Sequence, residues 1–104
     1  MVSKKDIEEV KKYEAILNKQ TELIEKLDKT IDEFVKNKKE YMKLRDYYNS
    51  EKYFEDLAKD KNGEYPEDLP RGIFSEDGIF DLFGEQFNIG MKMAETGLDT
   101  IKNY

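Results

Sequence analysis

The chain has 104 residues and a net charge of −6, with 40% of residues charged and 38% apolar. It holds no cysteine and no histidine. This excludes disulfides and thiolate metal sites and removes the commonest general base and zinc ligand.

The first charged residues follow the N-terminus without the apolar core of a signal peptide, and no apolar run approaches the ~20 residues of a membrane span. A cytoplasmic chain with no membrane partner is expected. The length suits one helical domain over residues 1–104, able to bury roughly 65% of its unfolded surface. So high a charge content also suits a disordered chain, but six Phe, seven Tyr and a periodic apolar pattern argue for folding. Charge is unevenly spread: residues 1–52 hold 13 basic and 12 acidic side chains, residues 53–104 hold 5 and 12. The second half repels a phosphate backbone, so nucleic acid is not an expected partner. The cluster Lys36, Lys38 and Lys39 reads better as a solvated helix face or turn than as a phosphate contact.

No Gly or Pro occurs before Gly63. Ser3 and Asp6 resemble a capping box, which starts a helix at Lys4. Val10, Leu17, Ile24 and Ile31 form one seven-residue series, and Tyr13, Gln20, Leu27 and Phe34 the other. Together they make a coiled-coil-like seam with one polar position. Ile16, Leu23 and Val35 widen it, as suits packing against more than one helix. Lys36 to Glu40 contains no apolar residue, after which Tyr41, Met42, Leu44, Tyr47 and Tyr48 resume the pattern. A helix from Lys4 to Tyr48 would be about 67 Å long, so either it turns near Asn37 or the molecule is elongated. The lack of a breaker favours one long helix, bent or straight.

Ser50 is a natural N-cap for a short helix from Glu51 to about Asp60, closed by Asn62 and Gly63. Both prolines fall in the loop that follows, pinned by Tyr65, Leu69 and Ile73. Ser75, Glu76 and Asp77 open the last helix, with Ser75 as N-cap and acids in the first turn. Its seam is again heptad-spaced, through Phe80, Phe87, Ala94 and Ile101 and through Gly84, Met91 and Leu98. Gly84 reads as a point of close helix approach, and Gly97 as a bend or cap. The expected fold is all-α: a long N-terminal helix packed antiparallel on a C-terminal helix, with a short middle helix and a Pro/Gly loop, as a helical hairpin or small bundle. Two apolar stripes also suit self-association as a homodimer.

The stretch Tyr47-Tyr48-Asn49-Ser50, then Tyr53 and Asp56, then Gly63, Pro66, Leu69, Arg71-Gly72 and Phe74-Ser75-Glu76-Asp77 resembles the bacterial domain of unknown function DUF4298. That family carries a heptad-rich N-terminal helix followed by a pattern close to YY-x-S-x-x-W-x-x-D and a G-x-x-P-x-x-L-x-R-G-x-L-S-E-D segment. Tyr53 stands where the pattern has Trp, and Phe74 where it has Leu. The resemblance implies a small bacterial protein and brings no assigned activity.

Tyr47, Tyr48, Arg71 and Asp77 are the candidate interaction or ligand surface. Each also has a structural reading. Adjacent tyrosines at a helix end commonly pack one ring. Arg71, alone among the acids Asp56, Asp60, Glu64, Glu67, Asp68, Glu76, Asp77 and Asp81, suits an ion pair that fixes the loop. It also suits a grip on an anion beside a helix N-terminus. Ser50 and Ser75 read as caps, because no histidine is present to activate them. The acids form neither an EF-hand loop nor a di-iron pattern. No catalytic residue, metal ligand or cofactor is therefore expected. The leading expectation is a protein–protein interaction or scaffold module without catalytic activity, its partner an unknown protein or a second copy. The alternative is a small regulatory domain that binds an anionic ligand or divalent metal through residues 56–81.

Overall fold

The computed structural model describes residues 1–104 except Glu76. Among the described residues the fold is all-α, without strands: α1 (Lys4–Lys36), α2 (Lys38–Tyr48), α3 (Glu51–Lys61), a single 3₁₀ turn (Gly72–Phe74) and α4 (Gly78–Lys102). No described helix is long and apolar enough to cross a membrane. By internal contacts the chain forms two compact units, Met1–Arg45 and Asp46–Tyr104.

In the first unit, α1 begins at the expected capping box. Ser3 Oγ accepts from the Asp6 amide and Asp6 Oδ2 accepts from the Ser3 amide, both at 3.1 Å. Two of the orphan amides at the helix start are thereby satisfied. The expected single helix to Tyr48 is interrupted by one residue. Asn37 caps α1, its amide donating to Glu33 O at 3.0 Å, and the Tyr41 amide then donates to Asn37 O at 3.1 Å. Helical bonding resumes at once, so the interruption is a one-residue dislocation. It falls where the apolar pattern lapses and where Asn, a poorer helix former, stands. No residue of α1 is buried. Its seam and flank side chains, Ile7 to Val35, are 39–67% exposed.

The second unit is organised around one ring. Tyr53, 7% exposed, sits on α3 with Tyr48 5.0 Å, Tyr47 5.5 Å, Phe54 6.0 Å and Phe74 6.3 Å from it, centroid to centroid. Tyr65 stacks on Phe74 at 5.8 Å, and Phe83 of α4 meets Tyr48 edge-on at 5.3 Å. Ile79 of α4, 4% exposed, is the other buried apolar residue described. The end of α2, α3, the 3₁₀ turn with its loop and α4 are therefore joined mainly by aromatic contacts, whose edge-to-face pairs add about 0.5–1.5 kcal/mol each beyond area burial.

The turns that deliver these rings follow backbone rules. Ser50 Oγ accepts from the Tyr53 amide at 3.4 Å and caps α3, whose end at Lys61 matches the expected boundary closely. Gly63, at φ 70°, closes α3 as a Schellman motif: its amide donates to Asp60 O and the Glu64 amide to Lys59 O, both 3.0 Å. The 3₁₀ turn was not apparent in the sequence. Ser75 is not the N-cap of the last helix as expected; it stands two residues before it and bridges the two elements, its Oγ accepting from the Gly78 amide at 3.1 Å while its hydroxyl donates to Gly72 O at 2.8 Å. The regular helix starts at Gly78, with Asp77 at the N-cap, later than the expected start at Ser75. Of the acids assigned to that first turn, Glu76 lies outside the described residues.

The glycines correct two expectations. Nothing lies within 4 Å of where a Cβ would stand at Gly84, so this chain makes no close approach there, and Gly97 lies inside an unbroken helix. The tight position is Gly78, where a Cβ would meet Ser75 Oγ and stand 2.7 Å from Gly72 O. Because one of these atoms is backbone, Gly78→Ala must push the 3₁₀ turn away from α4. A loss of roughly 1–3 kcal/mol is expected in urea unfolding, against a gain for Gly84→Ala from helix propensity. Equal effects at the two sites would refute this account of the junction.

Candidate functional site

The start of α3 collects polar side chains around a carboxylate. Asp56 is 7% exposed. Its Oδ2 accepts from the Tyr47 hydroxyl at 2.7 Å; its Oδ1 accepts from Lys52 Nζ at 2.8 Å and the Tyr65 hydroxyl at 3.3 Å. Tyr47 comes from the end of α2, Lys52 from one turn before Asp56 on α3, and Tyr65 from the loop beyond Gly63. A buried carboxylate needs such partners, because an uncompensated charge out of water is costly. No buried side-chain polar atom among the described residues is left without a hydrogen bond.

The cluster shifts its own titrations. The Lys52 bond, then the Tyr47 bond, hold the Asp56 carboxyl below the usual range. Burial, followed by the bond to Asp56, pushes Tyr47 up to about 12. Tyr65 is raised by burial and by the Asp56 charge, and Tyr53 mainly by burial. The bond to Asp56 raises Lys52 in turn. At neutral pH the group is a carboxylate clamped by two neutral phenols and an ammonium. None of these states suits proton transfer near pH 7.

Arg71 lies on the same loop as Tyr65. Its Nε pairs with Asp60 Oδ1 at 2.8 Å, and its terminal nitrogens donate to the carbonyls of Pro66 at 2.7 Å and of Tyr65 and Glu67 at 3.4 Å. The guanidinium is thus the staple of the proline loop. Tyr47, Tyr48 and Arg71 are brought together around α3, linked through Tyr65 and Tyr53. Asp77 stands apart at the start of α4, exposed, with no side-chain bond to the helix amides. Ser50 donates its hydroxyl to Tyr47 O at 2.6 Å, so both candidate serine hydroxyls are tied to backbone carbonyls.

Lys52 was not singled out in the sequence, although its spacing of four from Asp56 is a usual helical ion-pair signal. An open hollow of about 530 Å³ adjoins the cluster, lined by Tyr48, Phe54, Leu57, Phe74 and Lys61. Among the described residues no group of three potential ligands from Asp, Glu, His and Cys could hold a metal ion.

No curated protein and no solved structure matches the chain. One family model does, over residues 10–96, which span the α1 seam, the Tyr53 cluster, the Arg71 loop and most of α4. With the match extending over well more than half its length, the chain belongs to the DUF4298 family, a domain of unknown function.

Proposed function

We propose that the protein is a helical interaction module without catalytic activity, and that α1 is the surface that recruits its partner. The observation that carries this reading is the state of the α1 seam. Val10, Tyr13, Leu17, Ile24 and Leu27 recur at heptad spacing and are 58–67% exposed. Scattered exposed apolar residues need no explanation, but a continuous stripe along a 33-residue helix does. Helix-in-groove and coiled-coil recognition use this spacing.

The alternative, an anionic-ligand or metal site in residues 56–81, has less support. Arg71 is committed to Asp60 and three carbonyls, and Asp56 to three donors of its own chain. A ligand there would have to displace contacts that hold the fold. Ile24→Asp and Leu27→Asp provide the test. Each places a charge on the stripe and leaves every residue of the Tyr53 cluster unchanged. Both variants are expected to keep helical circular dichroism and to lose association, read as molar mass by light scattering with the partner or in self-association. Variants that retain their assembly would refute the proposal.

A further inference from the structure

We infer that the partner of α1 is a second copy of α1, laid antiparallel and almost flush. This rests on the interaction reading above and gives it an occupant. In a two-stranded antiparallel coiled coil each a position faces a d position, and like flanking positions face each other. In the register that sets Leu17 against Leu27, Val10 meets Phe34 of the second copy, Ile31 meets Tyr13 and Ile24 meets Gln20. Each aromatic ring is matched with a β-branched side chain, a large-with-small fit that fills layers evenly.

The flanks favour the same register. Ile7 meets Val35, Leu23 meets its own counterpart at the two-fold axis, and Ile16 meets Thr30. Every apolar flank residue therefore finds an uncharged neighbour. A parallel pair stacks Tyr13 on Tyr13 and Phe34 on Phe34, sets Leu23 against Asp28, and sets Glu9 against Glu14. Sliding the antiparallel pair by one heptad places Ile31 against Asp6 in one direction and Tyr13 against Lys38 in the other.

The area is adequate. With side chains 39–67% exposed along the seam and flanks, the stripe offers on the order of 1,000 Å² per chain, where a stable interface needs about 800 Å² per partner. Opposed helix dipoles add a small favourable term. Two pairings, each made twice by the two-fold, are unfavourable in this register: Gln20 sets a polar group against Ile24, and Glu14 meets Asp28, both exposed, where solvent and salt screen them.

The pairing of Glu14 with Asp28 supplies a positive test. Asp28→Lys turns two rim repulsions into attractions and is expected to tighten the dimer about fivefold, measured by light scattering across a dilution series. In a parallel pair Asp28 faces Leu23, and no such gain follows. The chain contains no cysteine, so single-cysteine variants report the geometry directly. Thr21→Cys and Leu23→Cys lie at the axis and are expected to cross-link to themselves under oxidation or with a short linker. Leu17→Cys lies about 15 Å from its own counterpart and is expected not to. Cross-linking at Leu17→Cys instead, or a wild-type chain that stays monomeric at every concentration, overturns the inference. The melting temperature of Ile24→Asp then separates the two claims. An unchanged value in a monomer leaves the seam free for a different partner, and the interaction reading stands without self-pairing. A large fall means the seam is covered within its own chain, and both claims fail.

Discussion

Tyr53→Ala is expected to unfold the second unit, with a loss of about 3–5 kcal/mol in denaturant unfolding. The ring is 7% exposed and touches rings from α2, from α3 itself and from the 3₁₀ turn. Its removal opens a cavity that no neighbour can fill without leaving its own contacts. Since small domains are stable by only about 5–15 kcal/mol, little would remain. Tyr53→Phe separates the ring from its hydroxyl, which donates to Ile73 O at 3.1 Å. It is expected to cost about 1 kcal/mol. The ratio matters more than either number. If the Phe variant is as damaged as the Ala variant, the hydroxyl bond rather than the ring pinned to Ile73 organises the unit.

The position of Tyr53 shows what the sequence can and cannot reveal. Ser3 with Asp6, Ser50 and Gly63 were readable as caps because capping is local: the bonded groups lie within three to five residues of each other. The heptads of α1 and α4 were readable for the same reason. Asn37 was harder, because a single residue with near-helical angles leaves no Gly or Pro behind as a sign. The aromatic cluster was not readable at all as a unit. Tyr53 stood out in the sequence only as a position of the family pattern, and Asp56 as such a position and one of many acids in an acidic stretch. What distinguishes them is that Tyr65 and Phe74, many residues further on, return to the same spot after the Schellman turn and the Arg71 staple have folded the loop back. Gly84 misled for a related reason. A helical glycine on a seam suggests a close neighbour, but only the structure says whether one is there, and the crowded glycine proves to be Gly78, against the carbonyl of Gly72.

The Asp56 cluster makes the stability of the second unit pH-dependent at both ends, with signs that follow from its shifts. Asp56 titrates lower in the folded chain than its ordinary value of 3.8. Its contribution is complete above 3.8 and is lost as pH falls through the depressed value, because the unfolded chain takes up the proton first. Tyr47 and Lys52 titrate higher when folded, Tyr47 at about 12 against an ordinary 10.0 and Lys52 above its ordinary 10.5. Their contributions are complete below those ordinary values and are lost as pH rises through the folded ones. A plateau in melting temperature between 3.8 and 10.0 is expected, with falls on either side. Many carboxylates titrate in acid, so the informative quantity is a difference between variants. Asp56→Asn is expected to lower the plateau by on the order of 10 °C, since Lys52, Tyr47 and Tyr65 then surround a neutral amide. The gap to the wild type should close as pH drops through the Asp56 titration, where the wild-type group is itself neutral. Tyr47→Phe should flatten the alkaline fall and leave the acid side nearly parallel to the wild type. If the Asp56→Asn profile ran at a constant distance below the wild type at every pH, the charge on Asp56 would have no part in holding α2, α3 and the proline loop together. The carboxylate would then act through shape alone.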